Sequence, residues 1–397
     1  MPKSRNPHIL FLTDNFPPEV NAPASRTFEH CREWVGRDHS ITVVTCFPNF
    51  PSGKIHTGYK NQLFAVEEIE GIRVIRVKTF ISANEGTLLR TLDYMSFMVA
   101  GFLASLFVRK VDLVIGTSPQ FFTSIAAYLT ALVKSVPWVF ELRDLWPESI
   151  RALGLIESSS GSKALNFLEK LELFLYRKAD MIVCVTESFR KNLISRSIES
   201  SKIQVITNGV DLDFFQPHTG KDVDLLTEFG LEGKFVAGYI GTIGLAHALE
   251  TLVEAAIKLV NHPTGTEISI VIIGDGAKKQ ELQELKDKHN LDNLLLLDPI
   301  PKSAVPRHLN LFDVSIIHLA NKDLFKTVIP SKLFESMGVG IPVVYGVDGE
   351  SREIVLQHEM GVVFEPENAK ELVQRLLELI EDGARLAKLR SNALKAA

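Results

Sequence analysis

The chain has 397 residues, 46% hydrophobic and 23% charged, with 43 basic against 48 acidic side chains. At about 150 residues per domain this is two to three ordinary globular domains. A net charge of −5 excludes a basic nucleic-acid binder as the first reading.

Cys31, Cys46 and Cys184 lie far apart and at no metal-ligand spacing. They suit a reducing compartment, not a disulfide scaffold. The polar start and the four-residue apolar run Ile9–Leu12 do not read as a signal peptide.

Short apolar runs at Ile9–Leu12, Ile41–Thr45, Leu113–Gly116, Val136–Leu142, Met181–Val185 and Ile203–Ile206 predict buried strands. Helix-period segments such as Phe121–Lys134 and Lys163–Lys178 lie between them. Val66–Val77 alternates at period two around Gly71, which predicts a local β-excursion. Tyr94–Val108 carries no charge over 15 residues. A helix of that length rises about 22 Å, short of a bilayer core of roughly 30 Å. Two readings stay open: a core helix, or a helix lying on a membrane between Arg90 and the Arg109-Lys110 pair.

The second half repeats the rhythm. Strands are predicted at Phe235–Ile240, Ile268–Ile273, Leu294–Leu297, Val314–Ile317 and Ile341–Tyr345. Helices are predicted at Leu249–Leu259, Lys278–His289, Ala304–Leu311 and Ser331–Met337. Near-continuous apolar strands alternating with helices imply α/β architecture with two doubly wound parallel-sheet domains. The turn-rich, Pro-containing stretch 208–222 predicts the hinge. In such sheets ligands bind beyond the carboxyl ends of the strands, so two facing sheets would hold a ligand in a central cleft.

Four loops carry candidate chemistry. In IPSKLFESMGVGIPVVYG (329–346), Pro330 suits a first helical turn. Ser331, Lys332 and the helix N-terminus offer donors and charge to a diphosphate, and Glu335 could accept two ribose hydroxyls. An ordinary i,i+3 pair of Lys332 and Glu335 is the plainer alternative. In GYIGTIGLAHALETL (238–252), Gly241, Thr242 and Gly244 would let a ligand approach the backbone. Neither this loop nor Gly274-Asp275-Gly276 has the dinucleotide GxGxxG spacing. In FELRDLWPES (140–149), Arg143 and Asp144 fall at a strand's carboxyl end, where Asp144 could act as base, orient an acceptor, or merely pair with Arg143. The loop 13–26 supplies Asn15 and Asn21 as cleft-lining candidates. His247 and the Asp211-x-Asp213 pair carry weaker signals.

HILFLTDNFPPEV, VITNGVD, YIGTIG and LFESMGVGIPVV together resemble the retaining glycosyltransferases of family four, over nearly the whole chain. That family has the GT-B fold. Glu335 matches the second Glu of its Glu-x7-Glu motif, but Thr327 stands at the first. The family's Arg and Lys near the second glycine loop are absent, with Thr242 and Ala246 nearby, and Arg143-Asp144 occupies the loop of its first-domain histidine. The PSKLFE block is similar to that of bacterial fucosamine transferases.

The resemblance implies an acceptor domain over 1–212, a nucleotide-sugar domain over 213–380, and a C-terminal helix, 381–397, that packs back on the first. It implies transfer of an N-acetylated amino or deoxyamino sugar from a donor, taken as UDP-linked, to a polyprenyl-diphosphate-linked saccharide in O-antigen or capsule synthesis. Arg143, Asp144 and Lys332 would serve catalysis. Gly241, Thr242, Gly244, Ser331, Lys332 and Glu335 would hold the donor. No cofactor and no metal are implied, and the expected location is cytoplasmic, peripheral to the inner membrane if 94–108 touches it. A sugar-nucleotide epimerase of the same fold and a two-lobed solute-binding protein are the rival readings.

Overall fold

A computed structural model describes residues 6–50, 53–81, 87–118, 120–145, 159–217 and 220–397. The chain divides into two compact units, 1–206 and 207–397.

The first unit is built on eight strands: β1 (His8–Leu12), β2 (Ser40–Cys46), β3 (Phe64–Ile69), β4 (Ile72–Val77), β5 (Leu113–Thr117), β6 (Trp138–Leu142), β7 (Met181–Cys184) and β8 (Ile203–Val205). Their order is β3-β4-β2-β1-β5-β6-β7-β8. Every pairing is parallel except β3 with β4, the β-excursion predicted around Gly71. Leu10, Phe11, Val43, Val44 and Val114 are fully buried, as sheet strands covered on both faces require.

The second unit holds β9 (Phe235–Ile240), β10 (Ile268–Ile273), β11 (Leu294–Leu297), β12 (Val314–His318), β13 (Val343–Gly346) and β14 (Gly361–Val363). All are parallel, in the order β11-β10-β9-β12-β13-β14. The strand order reverses between β9 and β12, so the loops leaving those two strands flank the topological switch point, where such sheets bind ligands.

Helix Lys332–Val339 returns from β12 to β13 and starts at the carboxyl edge of the sheet. Its apolar side, Leu333 and Met337, packs with Val343 and Tyr345. The C-terminal helix Gly383–Ala396 packs in this same unit, with Ala393 in that cluster and Leu394 against Gly340.

Helix Thr87–Leu106 contains residues 94–106 of the uncharged segment. It packs against helix Phe121–Lys134 with Phe97 and Ser105 fully buried. The core-helix reading therefore holds for one side of it.

Candidate functional site

The second unit brings its sequence-predicted residues together. Gly241 directly follows β9 with a φ of +145°, a conformation that favours glycine. A Cβ there would lie 2.5 Å from Cε and 2.7 Å from Nζ of Lys332. The missing side chain is thus the space that the lysine fills. The Lys332 ammonium sits 4.9 Å from the centre of the Tyr239 ring, a cation–π distance. It makes no hydrogen bond or ion pair with the described residues. Burial lowers its pKa, and only the Glu335 carboxylate pulls the other way.

The turn is braced from behind. Gly241 N donates to Ile273 O and Ile243 N to Asp275 O, while Lys278 N donates to Ile243 O. A Cβ on Gly274 would lie 1.9 Å from Gly241 O, and one on Gly276 would lie 2.3 Å from Ile243 O. The Gly274-Asp275-Gly276 loop, unlike a dinucleotide fingerprint in the sequence, is here a backbone brace. Tyr239 Oη donates to Thr242 O at 2.7 Å. The amides of Thr242 and Gly244 donate to no acceptor among the described residues, so they remain available to a ligand.

Two histidines complete the cradle; the sequence gives His247 only a weak signal and His318 none. His247 packs edge-on against Tyr239, with ring centroids 6.1 Å apart. Its Nδ1 is buried and unpartnered. Burial, aided by the Lys332 charge, pushes its pKa down to about 3. His318 Nδ1 lies 2.8 Å from His247 O, and Glu367 N donates to His318 Nε2 at 2.8 Å. His318 is therefore neutral, with its proton on Nδ1, and it stacks on Phe364.

Ser331 precedes the helix, and its hydroxyl caps nothing. Glu335 lies in the helix's first turn, half-buried. Thr327, at the position of the missing first Glu, donates its hydroxyl to Leu324 O at 2.6 Å. The Asp211-x-Asp213 pair is a turn: Asp211 Oδ1 accepts from the amides of Asp213 and Phe214.

In the first unit, Ser118 Oγ accepts from the amides of Arg143 at 2.8 Å and Asp144 at 3.3 Å, which fixes the loop leaving β6. The Arg143 guanidinium donates to Pro23 O and Ala22 O, each at 3.3 Å. Arg143 therefore reaches the first turn of helix Ala22–Gly36, directly after the loop that holds Asn15 and Asn21. Asn21 Nδ2 donates to Asn15 Oδ1 at 2.6 Å, and Asn21 Oδ1 caps helix Ala22–Gly36 by accepting from Ala24 N. Both asparagines shape their own loop. Residues 146–149 of FELRDLWPES lie outside the described residues.

Behind Arg143 lies a buried charge cluster. Arg26 Nε and Glu141 Oε1 are 3.2 Å apart, with both side chains nearly inaccessible, and His30 Nδ1 is 3.6 Å from the same oxygen. Burial alone would raise the Glu141 carboxyl, but Arg26, Arg143 and His30 hold it below the ordinary range. Among the described residues no group of three or more His, Cys, Asp or Glu side chains is arranged to hold a metal ion.

Residues 24–214 match Glycosyltransferase Family 4, and residues 227–396 match Glycosyl transferases group 1. The chain belongs to the family-four glycosyltransferases, with the GT-B fold.

This glycosyltransferase is 25% identical to WcaI of Escherichia coli (strain K12), a glycosyl transferase named for colanic acid biosynthesis, over 84% of this chain and 81% of the relative. It is 27% identical to the N-acetylgalactosamine-N,N'-diacetylbacillosaminyl-diphospho-undecaprenol 4-alpha-N-acetylgalactosaminyltransferase of Campylobacter jejuni, over 52% of this chain and 53% of that relative. It thus spans about half the length of the second relative. In fold it is similar to Anabaena Alr3699/HepE in complex with UDP-glucose, at a TM-score of 0.71 and 17% identity over 97% of this chain and 93% of that one. Sucrose-phosphate synthase from Thermosynechococcus elongatus matches with a TM-score of 0.74 and 14% identity, over 98% and 94%. The glycosyltransferase thus carries its Lys332 cradle within the part that matches Glycosyl transferases group 1, and its Arg143-Asp144 loop within the part that matches Family 4.

Proposed function

We propose that this glycosyltransferase moves an N-acetylated amino or deoxyamino sugar from a UDP-linked donor to a lipid-diphosphate-linked saccharide, with retention of configuration, in surface-polysaccharide synthesis. The observation that carries the reading is the Lys332 ammonium, held against the Gly241 turn with no ion pair to any of the described residues. The names of the Escherichia coli and Campylobacter jejuni relatives support the polysaccharide and lipid-linked parts. The PSKLFE block supports a fucosamine-transferase-like branch.

Each residue has a chemical role. Glu335 accepts the ribose hydroxyls. Lys332, Ser331 and the amides of Thr242 and Gly244 receive the diphosphate. As the sugar–phosphate C–O bond breaks, negative charge grows on the departing diphosphate, and these donors stabilise it. The acceptor oxygen forms the new C–O bond on the same face, and its proton passes to the departing phosphate oxygen. Asp144 orients the acceptor hydroxyl, and Arg143 fixes the loop around it. The lysine and the amides supply the positive potential that a metal would otherwise bring, so activity should survive chelation. Because lipid-linked acceptors sit at a bilayer, the enzyme would work at the cytoplasmic face of the inner membrane.

Thermal shift with UDP, GDP, ADP and NAD on the wild type and Glu335→Ala tests the reading. At 100-fold over its Kd a ligand stabilises by about 2.7 kcal/mol. A shift with UDP, lost in Glu335→Ala, is expected. No shift with any nucleoside diphosphate, or one with NAD, overturns the proposal.

A further inference from the structure

Helix Thr87–Leu106 is apolar on both sides, and among the described residues only one side is buried. Phe97, Gly101, Ser105 and Val108 face the unit's interior. On the opposite side Leu92, Met95, Val99, Leu103 and Phe107 recur every three or four residues, the period of one helix face. Val99 is 52% exposed, Leu103 51% and Phe107 84%. The stripe runs about 22 Å. Monomeric proteins seldom leave a continuous apolar face of this kind in water, because burying it removes apolar surface from water.

A second helix widens the face. Lys134, at the end of helix Phe121–Lys134, donates from Nζ to Val108 O at 2.6 Å and to Leu106 O at 3.3 Å. That bond ties together the C-terminal ends of both helices. Leu132 and Val133, 62% and 61% exposed, lie in the same last turn as that lysine. Arg109 and Lys110 are exposed at that same end, and 94–108 contains no acidic residue. No helix among the described residues is long and apolar enough to cross a membrane.

We propose that this two-helix face, centred on Val99, Leu103, Phe107, Leu132 and Val133 with Arg109 and Lys110 at its edge, docks the enzyme side-on against an anionic lipid bilayer. Apolar side chains enter the headgroup boundary, and the basic pair meets lipid phosphates. The inference rests on the reading that the acceptor is lipid-linked, and it names the surface that would bring the first unit to such an acceptor.

Flotation of the full chain with phosphatidylcholine vesicles, with and without phosphatidylglycerol, tests it without donor or acceptor. The wild type is expected to float with anionic vesicles. Val99→Glu/Leu103→Glu is expected to reduce the bound fraction roughly tenfold or more, and Arg109→Glu/Lys110→Glu to remove the anionic preference. The UDP-induced thermal shift of each variant reports folding independently. Absence of flotation, equal flotation of wild type and folded variants, or self-association through this face with no vesicle binding would each overturn the docking proposal. Loss of flotation with UDP binding intact would still leave the donor reading standing.

Discussion

The Lys332 ammonium rests 4.9 Å from the centre of the Tyr239 ring, with a backbone glycine, Gly241, where any other residue would displace it. Burial works against this charge, and none of the described residues forms an ion pair with it. Residues of this kind cost stability and are typical of binding sites.

Lys332→Met should therefore separate binding from stability. A charge-assisted hydrogen bond is worth about 1.5–3 kcal/mol, so UDP affinity should fall by about 10- to 100-fold. The melting temperature without ligand should stay level or rise, since a poorly compensated charge gives way to an apolar chain of similar length. Calorimetric titration and thermal unfolding on one preparation check both. Equal loss of stability and affinity would mean that Lys332 is structural.

Gly241→Ala probes the same contact from the other side. The new methyl would meet Lys332 Cε at 2.5 Å and would have to adopt a φ of +145°. The lysine end can move, so a stability loss of about 1–2 kcal/mol is expected. The moved ammonium should weaken UDP binding about as much as Lys332→Met does. A double variant should then lose little more than either single change.

The fold was legible because strand–helix alternation leaves its mark in composition. β9, β10 and β12 read directly as apolar runs, and Lys332 followed from a proline-led helix start. Three features were not legible, each for a physical reason. Arg26 and Glu141 meet across 115 residues, and no local pattern encodes that pairing. The cradle of Tyr239 and His247 depends on a glycine turn whose geometry is set by the brace of Gly274 and Gly276. Residues 94–108 stayed ambiguous because both sides of the helix are apolar, so periodicity could not tell a covered face from an open one. Asn15 and Asn21 read as cleft residues, yet their side chains are bonded to each other.

Glu141→Ala should destabilise the first unit by about 3–5 kcal/mol, because it leaves the Arg26 charge buried without its carboxylate and removes the negative charge facing Arg143. Glu141→Gln should cost less than Ala, since it can keep one hydrogen bond to Arg26. All three tryptophans, Trp34, Trp138 and Trp146, belong to this unit, so tryptophan fluorescence in denaturant follows it selectively. A variant midpoint equal to wild type would show the cluster to be energetically idle.

Acid should loosen the second unit through His247. Its folded pKa is pushed down to about 3 from an ordinary 6.5. Between those values the unfolded chain binds the proton more readily than the folded one. Stability from the neutral imidazole is therefore complete above about pH 6.5 and is lost as pH falls toward about 3. His318, also shifted down by burial, adds in the same direction, since a proton on Nε2 would abolish its acceptance from Glu367 N. The amide-exchange protection of β9 and β12 should thus drop between pH 7 and pH 5 in the wild type. It should drop less in His247→Gln, which cannot titrate. An identical drop in both would assign the acid sensitivity to His318 or to the first unit's carboxylates instead of His247.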